Sequence, residues 1–71
     1  MCLAIPAKIE KMSEQIGPAA RGTVELDGTR ANVSLALVPE AKLGDWVLVH
    51  AGLAITVLDA AEAKETYDLL K

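Results

Sequence analysis

The chain has 71 residues, 52% of them hydrophobic, and a formal net charge of −3 at pH 7. This length allows a single domain with a thin core, because so short a chain buries roughly 60% of the surface that its unfolded form exposes. Ten acidic residues outnumber seven basic ones, and one Trp and one Tyr are the aromatic residues. That composition argues against a nucleic-acid partner, which needs clustered cations and stacking rings.

The sequence also has no feature that predicts export or membrane insertion. No apolar run approaches the roughly 18–20 residues of a membrane-spanning helix. Pro6 and Lys8 interrupt the apolar start, which carries no basic segment, so a secretory signal peptide is not expected. A single cysteine cannot form an internal disulfide bond, and nothing indicates an oxidising compartment. We therefore predict a cytoplasmic protein with no membrane partner.

The first predicted element is a strand over residues 3–12. Apolar residues occupy alternate positions from Leu3 to Ile9, which is the period-two pattern of a half-buried strand. Met12 breaks this alternation and predicts a bulge or the end of the strand. Residues 13–20 contain Gly17 and Pro18 and are predicted to form a loop.

A β-hairpin is predicted over residues 22–35. Two alternating segments flank Asp27-Gly28, a dipeptide that favours a type I′ turn because both central residues of that turn need positive φ. One face of the hairpin is apolar and should point to the core. The residues predicted on that face are Val24, Leu26, Ala31, Val33 and Leu35.

Two more strands are predicted after a connector that contains Pro39. Residues 45–50 are apolar on both faces, which predicts a central strand. Ala51-Gly52 is expected to turn the chain into a fifth strand. The residues of that strand predicted to face the core are Leu53, Ile55 and Val57.

The last predicted element is a helix. Asp59 is placed to cap it, and Glu62 follows at the third helical position, a pair typical of a helix start. Ala60, Ala63, Tyr67 and Leu70 then recur at helical spacing and form one apolar stripe. A helix of about a dozen residues is marginal alone in water, so we expect it to dock on the barrel or on a partner.

Together these elements predict a mainly β fold. Short strands separated by closely spaced turns are typical of a small barrel, and closure leaves few exposed strand edges. The prediction is one domain over residues 1–71, with an OB-like barrel of about five strands in residues 1–58 and a C-terminal α-helix in residues 59–71.

Cys2 is the most unusual residue chemically. A free cysteine is commonly a small buried hydrophobe, whereas a position beside the chain terminus favours exposure, and residue type alone leaves both alternatives open. If Met1 is removed, a terminal ammonium lies on the same residue and favours the thiolate. The thiolate is the form that binds soft metals or acts as a nucleophile.

His50 ends the most apolar predicted strand. A lone histidine at a strand end is more often a surface or hydrogen-bonded residue than a metal ligand. If the first and fourth strands pair antiparallel, however, the start of the first lies beside the end of the fourth. Cys2 and His50 would then lie at the same rim of the barrel.

Two segments of the chain resemble one family. Residues 1–6, Met-Cys-Leu-Ala-Ile-Pro, resemble the N-terminal signature of the HypC/HybG/HupF chaperones of NiFe-hydrogenase maturation. Residues 44–54, Gly-Asp-Trp-Val-Leu-Val-His-Ala-Gly-Leu-Ala, resemble the second motif of that family. Leu53 departs from it, because the family usually has an aromatic residue there.

The resemblance implies a chaperone and not an enzyme. It implies that the chain carries or helps to assemble an Fe(CN)2CO centre with a HypD-type scaffold and delivers it to the NiFe-hydrogenase large-subunit precursor. The essential cysteine of the family corresponds to Cys2, a candidate iron ligand. The motif histidine corresponds to His50, a candidate transient ligand or hydrogen-bonding group beside the iron. The residues that the resemblance assigns to partner binding are Cys2, Leu3, Ala4, Ile5, Pro6, His50, Gly52 and Leu53.

Iron is expected only transiently, in the complex with the partner. One thiolate holds a metal weakly enough to pass it on, whereas a structural site is normally closed by four ligands. Two other functions are considered. In a thiol enzyme, His50 would activate Cys2 as a nucleophile, but no third residue is an obvious orienting group. In an adaptor that only binds a partner through its barrel, Cys2 would have no functional role.

Overall fold

The computed structural model describes residues 4–15 and 17–70. The strands and helices follow one another in the order predicted from the sequence, with one short 3₁₀ helix, Gly17–Ala19, inside the predicted loop. The elements are β1 Ile5–Met12, β2 Arg21–Leu26, β3 Thr29–Ser34, β4 Trp46–His50, β5 Leu53–Leu58 and α1 Ala60–Leu70.

The strands form a closed barrel in the order β1-β2-β3-β5-β4. All neighbours pair antiparallel except β3 and β5, whose parallel contact is the single pair Ser34 and Leu53. Extended backbone pairing therefore runs around most of the barrel, and the short contact between β3 and β5 closes it. The predicted mainly β fold, a five-stranded barrel followed by a C-terminal helix, is confirmed. Within the described residues, no helix has the length and apolar character needed to cross a membrane.

β1 pairs with β4 in the antiparallel direction. The register places Ile5 opposite Val49 and Lys8 opposite Trp46. The strand pairing on which the common rim was predicted is thus confirmed, and the start of β1 lies beside the end of β4. Cys2 and Leu3 fall outside the described residues, so their predicted positions stay predictions.

Both two-residue turns have the left-handed backbone of a type I′ turn. Asp27 and Gly28 have φ values of 52° and 82°, as the sequence predicts. Ala51 and Gly52 join β4 to β5 with φ values of 54° and 79°. β1 also ends at Met12, although its pairing with β2 is already irregular between Ile9 and Lys11.

Small and medium apolar side chains from every strand line the barrel interior. Most predicted core residues of the hairpin are buried. Ala31 faces inward as predicted and lines an open cavity beside Val24, but its side chain is exposed and is not part of the buried core. β3 meets β5 only at Ser34, so no strand covers β3 at the level of Ala31. The buried core consists of Ala7, Ile9, Val24, Val33, Leu35, Val38, Ala41, Val47, Val49 and Ala54.

The prediction for the inward face of β5 is also partly wrong. Ala54 is fully buried, whereas Ile55 is 41% exposed. Leu53, also predicted to face inward, lies on the outer face opposite His50, because side chains alternate along a strand. Leu48 pairs with Thr56 and Val49 with Ala54, which leaves Ile55 as an extra residue in the ladder. A one-residue shift moves side chains to the opposite face of a strand. Val57 does pack against the core.

Helix α1 docks on the outside of its own barrel, against β1, β4 and β5. It begins with the predicted reciprocal cap: Glu62 N donates to Asp59 Oδ1 at 2.8 Å, and Asp59 N donates to Glu62 Oε1 at 3.0 Å. Ala63, within α1, is only 2% exposed. Pro6, which points away from the barrel interior, is buried as well, because α1 covers this side of β1.

Candidate functional site

The candidate site lies at one end of the barrel, which we call the rim and define by Ile5, Asp27, Val49 and His50. Ile5 starts β1, and Val49 opposite it precedes the last residue of β4. Asp27 occupies the turn between β2 and β3 and lines the same cavity as Ile5 and Val49. Three chain segments that are distant in sequence therefore meet here.

His50 is exposed on the outer side of the rim. Its neighbour Val49 points into the core, and side chains alternate along a strand, so the imidazole faces outward beside its cross-strand partner Leu53. The imidazole makes no hydrogen bond with any residue in the described part of the chain. Within those described residues, nothing competes with a ligand or partner for either ring nitrogen.

The turn after His50 is held on two sides. Its backbone is constrained by the β4–β5 pairing of His50 with Leu53. On the other side, Ser34 N donates to Gly52 O at 2.9 Å, which is part of the contact that closes the barrel. The backbone of His50, the last residue of β4, is thus fixed by the pairing on both sides of the turn that follows it.

An apolar cleft of about 350 Å³ opens at the rim. It lies where β5 does not cover the first half of β3. Asp27 and Thr29 provide its polar edge. The apolar residues lining it are Ile5, Ala7, Val24, Leu26, Ala31 and Val49. We did not predict this cleft, although two small alanines among larger residues on the inward faces are a signal that the interior is incompletely filled.

A hydrogen bond connects the edge of the cleft to the helix. Tyr67 Oη donates to Asp27 Oδ2 at 2.6 Å. This bond, together with partial burial and the negative charge of Asp27, raises the pKa of the Tyr67 phenol above its ordinary value of 10.0. The two residues are 40 positions apart, and no sequence pattern predicts their contact.

The predicted site residues are only partly brought together within the described chain. Ile5 and His50 belong to the rim, and Gly52 and Leu53 directly follow it in the turn and at the start of β5. Ala4, half-buried, directly precedes β1, whereas Pro6 is buried under α1. Cys2 and Leu3 lie outside the described residues, so a joint site of Cys2 and His50 stays a prediction. In residues 4–15 and 17–70, no three His, Cys, Asp or Glu side chains cluster as a metal site.

The sequence matches the HupF/HypC family over residues 1–70. Its relatives include the hydrogenase maturation factor HypC of Cupriavidus necator, 46% identical over 97% of this chain and 72% of the relative. HypC of Synechocystis sp. is 42% identical over 93% of this chain and 88% of the relative. The hydrogenase maturation factor HybG of Escherichia coli is 39% identical over the whole chain and 89% of the relative.

Proposed function

The chain belongs to the HupF/HypC family, and we propose that it is a hydrogenase maturation chaperone. The observation that carries the proposal is the full-length similarity to relatives named hydrogenase maturation factor. The fold supports it, because the pairing of β1 with β4 brings the start of the described chain to the end of β4, where His50 is exposed.

We further propose that the cargo is an Fe(CN)2CO fragment and that Cys2 is its thiolate ligand. A thiolate is a good donor for iron, and a single protein ligand leaves the remaining positions to a partner. An incomplete ligand set favours transfer over permanent binding. In this scheme the iron is cargo, bound while the partner is present.

His50 would assist the transfer without being a permanent ligand. A neutral imidazole can donate a hydrogen bond to a cyanide nitrogen or to the thiolate, and it can accept a proton without adding a fixed charge. Its exposure at the rim and its lack of hydrogen bonds to the described residues support this role, because nothing within that part of the chain competes for its nitrogens.

The partners in this proposal are a HypD-type scaffold and the precursor of the NiFe-hydrogenase large subunit, acting in the cytoplasm. The scaffold would supply the other iron ligands during assembly, and the precursor would receive the centre. Ile5 and Leu53 border the rim on either side of β4 and offer apolar surface for both encounters. Neither nucleic acid nor a membrane has a part in the scheme.

A carrier is favoured over a thiol enzyme by the surroundings of His50. A histidine that activates a nucleophile is normally oriented by a third group. No residue in the described ranges makes a hydrogen bond to this imidazole. We therefore propose that the chain performs no catalysis itself.

The proposal is tested by co-purifying the chain from cells that contain the hydrogenase maturation genes. The wild-type complex should contain iron and show infrared bands of bound cyanide and carbon monoxide. Cys2→Ser should lose the iron and the bands while circular dichroism shows an unchanged fold. Lys64→Gln, on the exposed side of α1, is the matched control and should keep both signals. Retention of iron and diatomic bands by Cys2→Ser would refute the carrier role.

A further inference from the structure

The outer face of β1, β2 and β3 has a charge opposite to that of the whole chain. We call it the cationic face and define it by Lys8, Glu10, Lys11, Arg21, Glu25, Arg30 and Asn32. Its four cations exceed its two carboxylates, whereas the chain as a whole has a net charge of −3. Of the three strands that carry this face, α1 packs mainly against β1. All four cations are exposed.

Two hydrogen bonds hold the arginines of this face in place. Arg21 Nε donates to Asn32 Oδ1 at 2.6 Å, and Arg30 Nε donates to Glu10 Oε1 at 2.7 Å. These are the hydrogen bonds that both guanidinium groups make with the described residues, and they use Nε only. The terminal Nη pair of each arginine is therefore available to a carboxylate in the bidentate geometry that this pair favours.

The cations occupy successive levels of the three strands. Lys11 lies beside Thr23, whereas Lys8 lies beside Glu25, two residues further along β2. Arg30 is opposite Glu25, and Arg21 is two residues before Thr23. Alternate residues of a strand are about 7 Å apart. Positive charge consequently recurs at successive levels of the sheet, with Arg21 on β2 and with Lys11 and Arg30 on the strands to either side of it. An extended segment lying along β2 would pass between Lys11 and Arg30.

Two grooves on this face meet at Lys11. One, of about 720 Å³, runs along the β1 bulge past Lys8 and Arg30 to Leu43, whose side chain is 65% exposed. The other, of about 220 Å³, includes Arg21 and Asn32. The face thus combines two hydrogen-bonded arginines and two lysines with an exposed apolar side chain at one end.

We propose that the cationic face is a docking surface for an acidic segment of a partner protein, with carboxylates on Arg21, Lys11 and Arg30 and an apolar side chain beside Leu43. The charge of the face opposes that of the rest of the chain, and its arginines are already oriented. Glu10 and Glu25 lie among the cations and would repel any anion placed beside them. A phosphate backbone has a charge at every nucleotide, whereas a protein segment can place uncharged residues opposite the two glutamates, which favours a protein segment over a nucleic acid. The surface is separate from the rim and needs neither Cys2 nor His50.

The test is a titration of the isotope-labelled chain with a synthetic peptide in which leucines are flanked by glutamates, followed by two-dimensional NMR. Signals of Lys11, Arg21, Arg30 and Leu43 should shift, and the shifts should decrease at high salt, because exposed charges are screened. Lys11→Glu should raise the Kd for the peptide about tenfold. The matched charge reversal Lys64→Glu on α1 should change the Kd by less than about twofold.

Three results would overturn the proposal. One is an absence of shifts at this face at millimolar peptide, and another is equal weakening by Lys11→Glu and Lys64→Glu. The third is tighter binding of a short single-stranded RNA than of the peptide at the same face. Cys2→Ser should bind the peptide as the wild type does, so loss of the carrier role and loss of this surface are distinguishable.

Discussion

Ala51 occupies a backbone conformation that side chains with a Cβ rarely adopt. Its φ is 54° in the turn after His50, where asparagine or glycine is favoured. Ala51→Asn should therefore raise the free energy of unfolding by about 0.5–1 kcal/mol. Urea denaturation measures the change. Ala19→Asn, at an exposed position without positive φ, is the control, and an equal gain there would show that the turn is not the cause.

Gly22 is required by close packing and not by its backbone angle. A Cβ at this position would lie 2.8 Å from Leu35 Cδ1 and 2.9 Å from the Lys11 carbonyl oxygen. The Lys11 carbonyl belongs to the strand ladder and cannot move freely. Gly22→Ala should lower the free energy of unfolding by about 1–3 kcal/mol, the usual cost of overpacking. Thermal unfolding measures it beside Thr23→Ala, and equal stability of the two variants would contradict the expectation.

At the scale of elements, the strands and turns were the most predictable features. Alternating apolar residues and Asp27-Gly28 are local signals, and each was sufficient to place a strand or a turn. The face of β5 was mispredicted because its phase changes at Ile55, where the ladder with β4 is irregular. Such a shift depends on which residues pair across strands, and that information is not local.

The rim site was only partly predictable for the same reason. His50 was identified because it ends a recognisable strand and matches a family motif. The apolar cleft depends on how far β3 extends beyond its single contact with β5, and the Tyr67–Asp27 bond joins two elements that are 40 residues apart. Both follow from tertiary geometry, which alternation and turn signals do not specify.

The bond between Tyr67 and Asp27 couples α1 to the β2–β3 turn and can be followed directly, because the chain has one tyrosine. The hydrogen bond to the Asp27 carboxylate raises the phenol pKa above 10.0. Because the pKa is higher in the folded state, the hydrogen bond from Tyr67 to Asp27 stabilises the fold in full below pH 10. This stabilisation is lost as the pH rises through the pKa of the folded state. The contribution of this hydrogen bond to stability should therefore be lost as Tyr67 ionises.

Asp27→Asn isolates the charge in this contact. Asparagine is favoured in a type I′ turn, so the hairpin should be retained while the carboxylate is removed. We expect the Tyr67 pKa to fall toward its ordinary value, as measured by ultraviolet absorbance of the phenolate during a pH titration. Glu25→Gln, a carboxylate on the neighbouring strand, is the control and should leave the titration unchanged. An unaltered Tyr67 pKa in Asp27→Asn would contradict the assignment.

At the scale of the whole molecule, stability and the proposed function depend on different parts of the chain. A domain of this size has a total stability of about 4–10 kcal/mol. The described core extends from Ala7 to Ala54 and includes Ile9 at 1% exposure. Ile9→Ala leaves a cavity in it and should lower the free energy of unfolding by about 2–5 kcal/mol, a large part of the total.

Cys2→Ala should leave the stability nearly unchanged and abolish the function. Cys2 precedes the alternating apolar residues that form β1, so its replacement should cost well under the roughly 1 kcal/mol typical of a point substitution. We expect Ile9→Ala to show a lowered midpoint in urea and reduced maturation only in proportion to the folded fraction. Cys2→Ala should keep the midpoint and lose hydrogenase maturation completely. A large loss of stability in Cys2→Ala would instead make the cysteine a packed core residue, and the carrier role would then have no thiolate to act through.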